Sequence, residues 1–151
     1  MKMKTGVDCI GISTSFYCHD GKGNFLFHRR SNNCRDEVGV WDCGGGQLEY
    51  GLSLETNVLK EVREEYGCVG KVEKQLPAIT LFRKNKEGQN THWIVVPFII
   101  RVERSEVKNN DPEKIEKIEW HSLNNLPHPL HPGFIKTIET HRSLFHSLNY
   151  Y

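Results

Sequence analysis

Glu61, Glu64 and Glu65 gather three carboxylates in one short stretch of the chain. If Leu54–Tyr66 winds as a helix at roughly 100° per residue, all three fall within an arc of roughly 100°. Glu61/Glu64 and Glu61/Glu65 are then like-charge neighbours, each pair unfavourable by roughly 0.2–0.5 kcal/mol. Lys60 offsets part of this through Glu64, while Arg63 falls on the far side. A helix face built only for solubility intersperses its signs; this one stacks carboxylates on a single stripe. A divalent cation removes the repulsion, and hard oxygen donors suit magnesium. Most E-x-x-E-E runs are merely solvated helix faces. That reading leaves Gly44-Gly45-Gly46 unexplained, immediately upstream, where bare backbone can approach a pyrophosphate or lend a carbonyl to a metal.

These residues need a helix with a defined start and stop. Ser53 is a suitable N-cap before Leu54–Tyr66, and Gly67 a suitable terminator. Val58, Leu59, Val62 and Tyr66 form an apolar arc, largely separate from the carboxylates, that should face the core. Upstream, Val7–Tyr17 is rich in β-branched and aromatic residues and predicts a long strand. The turn chemistry of His19–Asn24 returns it as a hairpin through Phe25–Arg29, and Ser31–Val38 is a polar loop.

Downstream, Pro77–Phe82 and His92–Val102 predict strands separated by the polar turn Lys84–Asn90. Pro97 inside the second points to an edge position or a bulge. A short strand near Ile115–His121, ending at Trp120, is followed by the proline-rich stretch Leu126–Pro132. A closing amphipathic helix at about Phe134–Leu148 should bury Phe134, Ile138, Phe145 and Leu148. Long antiparallel strands with two helices imply a mixed sheet covered on both faces.

Composition narrows the partners. The 151 residues fit one domain, 1–151, with 37% hydrophobic and 26% charged residues, as in ordinary globular chains. A formal charge of +1 gives no field strong enough to attract nucleic acid or a membrane, so an anionic ligand needs a local site. Cys9, Cys18, Cys34, Cys43 and Cys68 are odd in number and form no CxxC pair, which reads as reduced thiols. The start, Met1 to Gly6, lacks a signal-like apolar stretch, and the run Trp93–Ile100 is too short to span a bilayer. Both favour a cytoplasmic protein. His128 and His131 have ligand-like spacing but no accompanying ligand set.

The 23 residues Gly46–Cys68 resemble the Nudix box: a glycine, five residues, a glutamate, seven residues, then R-E-U-x-E-E-x-G-U with U aliphatic. Six of nine defined positions match, namely Gly46, Glu61, Val62, Glu64, Glu65 and Gly67, and Cys68 is a tolerable small apolar residue at the last. The run Trp41-Asp42-Cys43-Gly44-Gly45-Gly46-Gln47-Leu48-Glu49-Tyr50-Gly51 also resembles the family's tryptophan, double-glycine and V-E-x-G segment. The Arg29-Arg30 pair and the Trp120…Leu126-Pro127 pattern fit more loosely. Two positions depart: Leu52 replaces the first glutamate of the box, and Lys60 its arginine. In the family those two residues can pair and brace the loop. Lysine without that partner can lay its stem on apolar surface and keep its ammonium in water.

The resemblance implies an α/β (α+β) chain, a Nudix-type α/β/α sandwich with a mixed, mainly antiparallel sheet between helices. It implies magnesium, with manganese as a substitute, held by Glu61, Glu64, Glu65 and the Gly45 carbonyl. The implied reaction is hydrolysis of a phosphoanhydride in a nucleoside diphosphate linked to another moiety: a nucleoside triphosphate, a sugar nucleotide or a dinucleotide. Glu61, Glu64 and Glu65 are the catalytic candidates, and Glu61, Glu113 and Glu116 the candidate bases. Arg30, Gly46, His92 and Glu113 are the substrate-binding candidates. Consecutive strand residues face opposite sides, so at most one of His92 and Trp93 meets the cleft, and Trp93 is assigned to the core. A non-catalytic nucleotide sensor is the alternative, kept open by Leu52 and Lys60. An RNA-end hydrolase is weakened by the absence of a basic stripe. A homodimer is compatible with the sequence.

Overall fold

The computed structural model describes residues 1–147. In chain order the elements are β1 (Gly11–His19), β2 (Asn24–Arg30), β3 (Trp41–Asp42), β4 (Gly45–Gln47), α1 (Leu54–Tyr66), β5 (Lys71–Gln75), β6 (Ile79–Lys84), β7 (Asn90–Arg101), β8 (Ile115–Ser122) and α2 (Pro132–Ser147). The strands form one sheet ordered β3-β2-β1-β7-β5, with β4 on β1, β6 on β7 and β8 on β2. Among the named strands of the described residues, β1 and β7 run parallel, from Gly11↔Trp93 to His19↔Arg101, and the other pairs are antiparallel.

Strand alternation sorts the core into two layers. From β1, Phe16 and Cys18 pack with Leu26, Phe98 and Ile100 under Val58, Val62 and Tyr66 of α1. Tyr17 faces the other way, with Phe25, Phe27 and Ile99 beneath Phe134, Ile138 and Phe145 of α2. The sheet therefore lies between the two helices, as expected of an α/β/α sandwich. The anticipated burial of Leu148 lies outside the described residues. Among the described residues, no helix is long and apolar enough to cross a membrane.

α1 begins and ends where capping chemistry directs. Ser53 accepts a hydrogen bond from the Thr56 amide, and Gly67 closes the helix at φ 64°. Elsewhere the boundaries move. The predicted strand Val7–Tyr17 starts only at Gly11, because Lys4–Cys9 folds into a turn in which Val7 and Asp8 donate to the Lys4 carbonyl. The expected Pro77–Phe82 is β6, shifted to Ile79–Lys84, and the expected end at Trp120 extends to Ser122. β5 was not anticipated: its only apolar residue is Val72, and pairing with β7 makes it a strand.

Pro97 needs a correction. β7 lies inside the sheet, with β1 on one flank and β5 and β6 on the other. The Pro97 carbonyl accepts from the Leu76 amide at 2.8 Å, in the gap between the end of β5 and the start of β6. A strand residue presents its N–H and C=O to the same side. The missing donor thus falls where no ladder requires one.

Candidate active site

α1 fastens the glycine run to the sheet. Buried Asn57 donates to Thr14 Oγ1 on β1 at 2.8 Å and accepts from the Glu49 amide at 3.0 Å. The Tyr66 hydroxyl donates to the Cys43 carbonyl at 2.9 Å, and Glu65 accepts from the Gly45 amide at 3.3 Å. Gly44 takes φ 118°, and a Cβ there would lie 2.3 Å from the Phe16 ring. A Cβ on Gly46 would lie 2.4 Å from the Glu61 carboxyl carbon. The triplet is bare because Phe16, the Thr14 carbonyl and Glu61 occupy the space that side chains on Gly44, Gly45 and Gly46 would need.

Glu61, Glu64, Glu65 and Gly45 line one cavity of about 760 Å³, together with His28, Arg30, Asp111 and Lys114. Burial, then the charge of Glu64, pushes the Glu61 carboxyl up to about 7. Burial, with Asp42 and Glu61, pushes Glu65 well above the ordinary carboxylate range. Burial also opposes charge on Asp42, but His131, His28, Arg30 and the Cys43 amide outweigh it and hold that pKa low. Such a wall holds two carboxyls, Glu61 and Glu65, that their surroundings disfavour as anions.

Among the described residues, no three His, Cys, Asp or Glu side chains already converge closely enough to hold a metal ion. Glu64 is instead engaged by Lys60, and Glu65 by the Gly45 amide. The donor set still fits a hard divalent cation, with carboxylates that desolvation and mutual repulsion disfavour as bare anions.

A second cavity of about 620 Å³ adjoins the first and includes Gly46, Tyr17, Leu81, Trp93, Phe134 and Thr137 in its walls. Arg30 lines both cavities. Its guanidinium donates to the Asp36 carbonyl and carboxylate and lies 3.7 Å from Asp42.

Three expectations change here. Trp93, assigned to the core from sequence, lines the second cavity, whereas His92 rests against Phe82 with ring centroids 4.6 Å apart. Strand alternation was the right rule, but only the pairing of β7 with β1 and β6 fixes which residue faces inward. Glu113 is exposed and lines neither cavity; its backbone carbonyl accepts from Ser31 and Asn33. Glu116 is engaged by Arg29 at 3.4 Å and lines neither. Lys60 does not leave its ammonium to water: it bridges Glu49, at 3.0 Å, and Glu64. Glu49 thus supplies the loop brace that Leu52 cannot.

His28 had no sequence signal beyond its strand position, and Asp42 none beyond its place in the run from Trp41 to Gly51. His28 is 2% exposed, and its Nδ1 lies 2.7 Å from the Tyr66 hydroxyl. Burial pushes its imidazole down to about 4. His131 accepts from the Gly133 amide at 2.9 Å at the start of α2, a capping contact that accounts for its place in the proline-rich loop.

The NUDIX domain family model matches residues 11–140. An ADP-ribose pyrophosphatase of Methanocaldococcus jannaschii is 33% identical over 102 residues, which is 68% of this chain and 56% of that protein. The chain therefore spans little more than half the length of that relative. Among solved structures, a MutT NUDIX hydrolase from Burkholderia pseudomallei superposes with a TM-score of 0.70 at 21% identity, covering 86% of this chain and 96% of that one. A UDP-X diphosphatase superposes with a TM-score of 0.71 at 19% identity, covering 99% and 67%. At such identities these two likenesses speak to the fold.

Proposed function

The chain belongs to the Nudix family, and from that premise we propose that it hydrolyses the pyrophosphate bond of a nucleoside diphosphate linked to another moiety, acting as a single domain over residues 1–151 and using magnesium, with manganese as a substitute. The observation that carries this reading is the partly buried Glu65, flanked by Asp42 and Glu61, beside a cavity that opens into one walled by Trp93. The activities for which the ADP-ribose pyrophosphatase and the UDP-X diphosphatase are named agree with that reaction class.

Glu61, Glu64, Glu65 and the Gly45 carbonyl would hold the cation. When bound, the cation supplies Lewis-acid neutralisation of phosphate oxygens. The remaining work falls to the chain. Trp93 offers aromatic surface to a nucleobase, and Arg30 lies where the two cavities meet, a position suited to phosphate. Gly46 keeps the floor beside Glu61 open. Water attacks phosphorus, its proton passes to a carboxylate oxygen, and the bond to the leaving phosphate breaks. Glu61 is the proposed acceptor, since it lines the acidic cavity. Glu113 and Glu116 stand outside both cavities.

The test is a screen of purified protein against nucleoside triphosphates, sugar nucleotides and dinucleotides, following release of phosphate or nucleoside monophosphate. Glu64→Gln should abolish turnover with folding intact; undiminished turnover in that variant overturns the assignment. A binding-only sensor draws on one observation, that Lys60 already pairs with both Glu64 and Glu49. It predicts nucleotide binding by calorimetry and no product at any magnesium concentration.

A further inference from the structure

Five residues line both cavities: Arg30, Arg35, Asp36, Gly45 and Lys86. Arg30 is committed to Asp36 and Asp42. Arg35 and Lys86 are exposed, and neither has a hydrogen-bond or ion-pair partner among the described residues. They come from different segments. Arg35 lies in the loop after β2, and Lys86 in the turn between β6 and β7.

Both segments are held in place by contacts that leave these two cations free. In the turn, the Asn85 carboxamide oxygen accepts from the Glu87 and Gln89 amides, which fixes the backbone around Lys86. Glu87, the adjacent carboxylate, is directed to Lys4 at 3.8 Å. Glu37, two residues after Arg35, forms an ion pair with Arg83 at the end of β6, joining the loop to the strand that leads into the turn. Glu37 adopts φ 50° to do so, a left-handed conformation that a residue with a side chain takes only at a cost.

We propose that Arg35 and Lys86 are the two jaws of a diphosphate clamp. They would grip the phosphates of a nucleoside diphosphate where it passes from the Trp93 cavity toward the carboxylates. Arginine offers a planar fork and lysine a compact charge, so the pair suits two phosphate groups in sequence. The clamp rests on the nucleotide-hydrolase reading and adds a selectivity: ligands with two linked phosphates are retained, and nucleoside monophosphates are released. Product departure follows, because cleavage leaves each jaw with a separate ligand.

The probes are α,β-methylene-ADP and α,β-methylene-UDP, which cannot be cleaved at that bridge, together with AMP and UMP. Binding to the full chain is measured by calorimetry in magnesium buffer. The wild type should bind at least one methylene diphosphate about tenfold or more tightly than the matching monophosphate. Arg35→Ala with Lys86→Ala should erase that preference, and Arg35→Lys with Lys86→Arg should restore most of it. Removal of the exposed Lys71, which lines neither cavity, should leave it unchanged. A double alanine variant that keeps the full preference while melting like the wild type overturns the clamp alone. A wild type that binds none of the four nucleotides overturns the clamp and the nucleotide reading together.

Discussion

His28 reaches the Tyr66 hydroxyl through Nδ1, and that hydroxyl spends its own proton on the Cys43 carbonyl. The hydroxyl must therefore accept, so His28 carries its proton on Nδ1 and is neutral in the folded chain. Burial holds its pKa at about 4, against 6.5 for an unhindered imidazole. Between those values the unfolded chain binds more protons, so stability falls as pH drops from about 6.5 to about 4. The full effect is on the order of 3 kcal/mol, at about 1.4 kcal/mol per pH unit. Denaturant melts of the wild type and His28→Gln across that window should show a shallower acid slope in the variant. Equal slopes would place the acid sensitivity elsewhere.

α1 illustrates what an element adds to its residues. Its caps are local, but its service to the site is positional: Glu65 and Tyr66, adjacent at its C-terminal end, hold the Gly45 amide and the Cys43 carbonyl on either side of Gly44. Glu61, one turn earlier, fills the space over Gly46. Gly46→Ala introduces no unfavourable φ, so the fold should survive. Its Cβ would instead displace the Glu61 carboxylate. Turnover should fall by at least about tenfold, the worth of roughly 1.4 kcal/mol, with a thermal midpoint close to wild type. A variant with wild-type turnover would mean that the Glu61 position does not matter.

At the scale of the whole molecule, the sheet and α1 hold one wall of carboxylates, two of which their surroundings disfavour as bare anions. A ligand that binds only the folded state stabilises it, by about 2.7 kcal/mol at a concentration one hundred times its dissociation constant. Magnesium should therefore raise the thermal midpoint of the wild type. Glu65→Gln removes a carboxylate that burial and like charges disfavour. At neutral pH without divalent cations, this variant should melt higher than the wild type, and it should gain less from magnesium. A wild type indifferent to magnesium, or a Glu65→Gln variant that melts lower without it, would contradict that account of the wall.

The sequence by itself determined α1 to the residue, the hairpin of β1 and β2, and the stripe of three glutamates beside a glycine run. Helical periodicity, caps and turn residues act over a few positions and leave their mark locally. Tertiary structure decided what depends on partners far along the chain. β5 is a strand because β7 lies beside it, and Pro97 is tolerated inside the sheet because β5 and β6 leave a gap opposite it. Trp93, not His92, lines the cleft because the register with Gly11 and Leu81 turns it inward. The Lys60–Glu49 brace and the His28–Tyr66–Cys43 chain are likewise contacts across space, and Arg35 and Lys86 come to line the same two cavities from separate segments. The sequence supplies the groups for such contacts, but only the folded sheet brings them together.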